Sequence, residues 1–178
     1  MPPSERSDED LRDYLLQVGH ALSMVCELTE WLERVSLAKH LRHAVAESFA
    51  MNSRLLVEFL WSTSKRLTDV RASDYVGVGW CPSVDKGDKR SFGDKHVAHM
   101  AAERIDCPLA SMTYGERRTI RDELLGAGRE FAAAIRDPDA KDLMVTYLNH
   151  AESLTAWPPP PTGGEDPASF IAAIRHLQ

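Results

Sequence analysis

Leu11, Leu15, Val18, Leu22, Val25, Thr29 and Leu32 follow one another at alternating steps of four and three, and this run constrains the fold more than any other feature of the chain. Such positions line one side of an α-helix, whereas a half-buried strand needs alternation at every second residue. Tyr14, Ala21, Leu28 and Val35 widen the stripe, so the segment predicts a long helix with one broad face against its neighbours. Ser7 or Asp8 supplies an N-cap, and the acidic residues that follow suit the positive end of the helix dipole. Packing inside one bundle is the first use expected of such a stripe, and a seam between two subunits is the second.

A second helix is predicted from Leu37 to Trp61, with Leu41, Val45, Ser48, Asn52, Leu55, Leu56 and Phe59 on its packed face and Arg42, Glu47, Arg54 and Glu58 off it. The short connection at residues 36–40 makes the two helices an antiparallel hairpin. From Ser62 to about Asp94 the helical period fails, apart from a stretch near Ser64–Arg71. Tyr75-Val-Gly-Val-Gly-Trp80 reads as a short extended piece with no other strand to pair with. A third helix is expected from Asp94 to before Pro108. Thr113 with Glu116 reads as a capping box, opening a fourth helix with the stripe Arg117, Ile120, Leu124, Ala127, Phe131 and Ile135. Gly126 and Gly128 in that helix weaken it or admit another backbone. Asp137-Pro138 opens a fifth, with Leu143, Tyr147, Leu148, Ala151 and Leu154 as its apolar set. The expected class is therefore all-α. A bundle domain spans residues 1–156, a Pro/Gly linker 157–165, and an amphipathic helix, 166–178, that docks on the bundle or on a partner.

The 178 residues suffice for one domain with a real core, and their 43% hydrophobic and 27% charged content is that of a folded chain. No apolar run is long enough to span a bilayer and the N-terminus is polar and acidic, so a cytoplasmic protein without membrane contact is expected. Cys26, Cys81 and Cys107 are odd in number and far apart, which favours reduced thiols over a disulfide framework or a cysteine zinc site. The net charge of −6 offers no global attraction to nucleic acid. Local basic groups, Lys86, Lys89, Arg90 and Lys95 and then Arg117, Arg118 and Arg121, leave a local contact with nucleic acid open.

Two stretches share the pattern K-H-x-x-H-x-x-A-E, Lys39–Glu47 and Lys95–Glu103. On a helix His40, His43 and Glu47 share a face, and so do His96, His99 and Glu103, residue types that bind zinc, iron or manganese. Both sets point away from the expected packed faces, the pattern of a solvated surface, and no cofactor is expected. A polar network is the preferred role for Arg54, Asp69, Asp74, His99 and Arg104. In it a carboxylate of the loop pairs with Arg54 or Arg104, and Trp80 packs near His96 or His99. No G-x-S-x-G, P-loop or G-x-G-x-x-G occurs.

The stretch Phe49-Ala-Met-Asn-Ser-Arg-Leu-Leu-Val-Glu-Phe-Leu60, then Asp69, Asp74, Trp80, and Lys95-His-Val-Ala-His-Met100 with Arg104, resembles a family of small uncharacterised bacterial all-helical proteins over about residues 40–105. More loosely the chain is similar to HEPN-like helical bundles. Some of these cleave RNA without metal through an Arg and a His spaced as Arg90 and His96, or Arg34 and His40, are here. The resemblance implies a basic cleft holding Arg90 with His96 or His99 as the catalytic candidates. The function expected first is a helical interaction or regulatory protein, non-enzymatic and homodimeric, with a further protein partner open. A HEPN-like ribonuclease and a His/Glu metal-binding bundle are the alternatives.

Overall fold

The structure, a computed structural model, describes residues 7–34, 37–61, 70–84 and 112–155. They form α1 (Asp8–Arg34), α2 (Lys39–Trp61), the single turn α3 (Ser73–Val76), α4 (Tyr114–Ala134) and α5 (Pro138–Thr155), and among them no strand occurs. The all-α class is thereby shown. The expected third helix, the linker 157–165 and the C-terminal helix 166–178 lie outside the described residues.

α1 begins as its sequence dictates. The Ser7 hydroxyl accepts the backbone N–H of Asp10 at 3.1 Å, while the Asp10 carboxylate accepts the Ser7 N–H at 3.0 Å. Leu15, Val18, Ala21, Leu22, Val25, Leu28, Thr29 and Leu32 are all buried. This stripe is consumed inside the bundle, because α1 packs against α2, α4 and α5. Tyr14, expected to widen the stripe, is instead 40% exposed.

Contacts along the helices fix their directions. The C-terminal half of α1 meets the start of α4 through Glu33 and Arg117 at 3.5 Å, and Leu22 of α1 lies beside Gly128 of α4. Phe59, near the end of α2, stacks edge-on against Phe131, near the end of α4, with ring centroids 5.2 Å apart. Tyr147 of α5 covers Gly19, and Glu152 of α5 pairs with Arg129 of α4 at 2.7 Å. α2 and α4 thus run against α1, and α5 runs with it. A Cβ at Gly19 would stand 2.2 Å from the Tyr147 ring, so this ring can lie on α1 only because position 19 has no side chain. At Gly128 the same atom would meet the Leu148 side chain at 3.2 Å, so that glycine makes room for leucine side chains and not for another backbone.

α2 presents a different face from the one expected. Its buried residues are Ala46, Phe49, Ala50, Ser53, Leu56, Val57 and Leu60, with Phe59 and Trp61 closing the end, whereas Leu41 and Leu55 are 49% and 40% exposed. α2 is apolar on several sides, so aliphatic size alone does not pick the packed one. The small residues Ala46, Ala50 and Ser53 let α2 settle on that side, with Phe49, Leu56 and Val57 filling the gaps between. Tyr75–Trp80 is also not extended. Ser73–Val76 forms one helical turn and Gly77 and Gly79 follow at φ 111° and 89°, a conformation only glycine adopts without strain.

Candidate functional site

Two features outside the ordinary core qualify. The first is a buried polar cluster between the C-terminal half of α1 and the start of α4. Thr113 caps α4 in the expected capping box: its hydroxyl accepts the Glu116 N–H and the Glu116 carboxylate accepts the Thr113 N–H. That cap fixes the rotation of the first turns and drives Arg117 and Arg121 inward at 2% and 5% exposure. Arg121 donates to Glu30 at 2.8 Å, with both side chains nearly dry, and to the partly exposed Asp122 at 2.8 Å. The Tyr114 hydroxyl lies 3.1 and 3.2 Å from the two Glu30 oxygens. Arg118 lies over the Tyr114 ring, its guanidinium carbon 5.5 Å from the centroid.

Burial works against the charge of Arg121, but the hydrogen bond and charge of Asp122, followed by Cys26 and Glu30, raise its pKa overall. Arg117 is less well served. It donates to the Met112 carbonyl and more distantly to Glu33, while among the described residues its buried Nε has no acceptor. Burial is the main cause that lowers its pKa. Cys26, on the same side of α1, has its thiol pushed up to about 12, chiefly by burial, so it is no nucleophile at neutral pH. Each charge in this cluster faces another group of the chain, an arrangement that fastens α4 to α1.

The second feature is the outer face of α2, where Leu41, Met51 and Leu55 stand 49%, 53% and 40% exposed, with Ala44 exposed between them. A groove of about 400 Å³ between α4 and α5 is lined by Arg129, Lys141, Val145 and Glu152 among others, and in its lining Arg129 pairs with Glu152 at 2.7 Å.

Of the residues singled out in the sequence, Arg90, His96, His99, Glu103, Arg104 and Asp69 lie outside the described residues. Arg54 pairs with Glu58 at 2.8 Å one turn along α2. The Asp74 carboxylate accepts the Arg71 N–H at 3.1 Å, an N-terminal brace for α3. His40 is exposed and His43 and Glu47 are half-buried. Among the described residues no group of three or more His, Cys, Asp or Glu side chains converges as metal ligands would.

Trp80 packs on Phe131, with centroids 5.7 Å apart. Tyr75 contacts Phe59 and Phe131 and donates to the Leu11 carbonyl, while Trp61 donates to the Val84 carbonyl at 3.2 Å. Aromatic rings therefore hold residues 70–84 against α1, α2 and α4. Glu30 escaped the sequence reading; the one signal for a carboxylate opposite was Arg117 in the apolar stripe of α4.

No family model, no curated protein and no solved structure matches the chain. No helix of the described residues is long and apolar enough to cross a membrane.

Proposed function

We propose that the chain is a non-enzymatic helical interaction or regulatory protein that works through the outer face of α2. One observation carries this reading: Leu41, Met51 and Leu55 project from the side of α2 opposite its packed face. Isolated exposed apolar residues are ordinary, but a row of them along one helix is the usual anchor of a helix-in-groove or helix-on-helix partner. The bundle does not need these side chains, because Ala46, Phe49, Ala50, Leu56 and Val57 already make the packed face.

The test places a photoreactive benzoylphenylalanine at Met51 of the full chain in cells. The reading expects a discrete covalent adduct that disappears when Leu41→Glu and Leu55→Glu are added. No adduct, or one indifferent to those two changes, sinks it.

A further inference from the structure

Independently of α2, we propose that the groove between α4 and α5 seats the chain's own residues 166–178 as a helix laid parallel to α5. The floor of the groove is apolar: Ala132 and Leu148 are buried in it, while Ala133 of α4 and Val145 of α5 stand exposed, the latter at 40%. Along α5 the lining residues Lys141, Val145, Asn149 and Glu152 follow at steps of four, four and three. Asp166, Phe170, Ile174 and Leu177 recur at the same steps, on the apolar side of an amphipathic helix. Two parallel helices of equal spacing meet residue for residue. Asp166 then comes to Lys141, Phe170 to Val145, and Ile174 to the edge formed by Leu148 and Asn149.

Charge fixes the direction. At one end of the groove Arg129 and Glu152 satisfy each other at 2.7 Å. At the other, Lys141 reaches only the Ala133 carbonyl, at 3.5 Å, and among the described residues it meets no carboxylate. A parallel helix supplies one, since Asp166 arrives there with the first turn. An antiparallel helix sets Asp166 beside Glu152 and brings Arg175 within a turn of Lys141, like against like at both ends. The tether permits the parallel course. From Thr155 back to Lys141 is roughly 21 Å along α5 at 1.5 Å per residue. The ten residues 156–165, four of them consecutive prolines, span about 31 Å when extended at 3.1 Å each. A tether of this length makes the encounter intramolecular, which favours this segment over any free partner for the same groove.

Cross-linking of the full chain tests this, with Cys81→Ser and Cys107→Ser in place, Cys26 left buried, and circular dichroism confirming that each variant remains helical. Cysteines introduced by Asn149→Cys and Ala173→Cys should be joined by a short bismaleimide within one chain. Val145→Glu and Phe170→Glu should each slow that reaction by about tenfold, since each removes an apolar contact and buries a charge. Lys141→Gln and Asp166→Asn should each slow it by about threefold, and together no further, because they break the same ion pair. Asparagine still caps a helix, so the loss at position 166 reports charge. Lys141→Glu should slow the reaction more than Lys141→Gln. A rate indifferent to Val145→Glu and Phe170→Glu overturns the groove as the seat. Cross-links found only between two chains overturn the chain's own segment as the occupant. A Lys141→Glu variant that reacts faster, or Lys141→Gln and Asp166→Asn variants that match the parent, overturn the parallel direction.

Discussion

Arg121 and Glu30 show what a single buried residue commits the chain to. Taking two charges out of water costs several kcal/mol each, offset only when their geometry and hydrogen bonds are good. Here the pair closes at 2.8 Å, with Tyr114 and Asp122 taking up further bonding capacity. Removing one partner strands the other, so Arg121→Ala should destabilise the protein by about 3–5 kcal/mol. Replacing both, as Glu30→Leu with Arg121→Met, should cost much less than the two single changes together. Urea midpoints for the two singles and the double form a cycle that reads the coupling. Additive losses would mean that the pair contributes packing and no charge partnership.

At the scale of the element, α4 illustrates how a cap decides where side chains point. The hydrogen bonds from the Thr113 backbone and hydroxyl hold the Glu116 carboxyl below the usual carboxylate pKa. A folded-state pKa lower than the unfolded one contributes stability in full above the ordinary carboxylate value, and that stability is lost as pH falls through the lowered value. Thr113→Ala removes the hydroxyl that accepts the Glu116 N–H, an N-cap loss that should lower stability by about 1 kcal/mol at neutral pH. The gap from the wild type should narrow in acid, and thermal melts from neutral pH to about pH 3 test this. A gap independent of pH would show that the hydroxyl caps α4 without help from the carboxylate. The Glu130 carboxyl is likewise held low, by the hydroxyl and N–H of Ser83, and so joins residues 70–84 to α4 under the same sign of pH dependence.

For the whole molecule, the direction of each helix follows from which ends share partners, and Cys26 lies where three of them meet. It is fully buried, and Arg121, Asp122 and Glu152 of α4 and α5 all act on its thiol, whereas Cys81 is exposed. With Cys81→Ser and Cys107→Ser in place, Cys26 should resist thiol reagents in the native state and react only as the bundle opens. Its labelling rate should therefore rise with denaturant in step with global unfolding. Labelling in buffer at the rate of an exposed thiol would mean that α4 or α5 leaves α1 without unfolding.

The helical class, the boundaries of α1, the capping box of α4 and the buried stripes of α1 and α4 were legible in the sequence, because each rests on local spacing or on hydrogen bonds within one turn. The outward face of α2 was not. Leu41 and Leu55 look like core residues by type, and only the fit of Ala46, Ala50 and Ser53 against the neighbouring helix turns them out. The polar cluster was barely legible. Arg117 stands in the expected apolar stripe and so calls for a carboxylate, but Arg121 does not, and both read with Arg118 as a local basic group, whereas the structure buries Arg117 and Arg121. That Arg121 meets Glu30, on a helix more than eighty residues earlier in the chain, depends on how α1 and α4 lie together. The glycine at position 19 belongs to the same class, since its reason is the Tyr147 ring. Local periodicity and capping determined what the chain forms. Which faces meet, and so which apolar row is left exposed, was decided by side-chain volume and charge across helices distant in sequence.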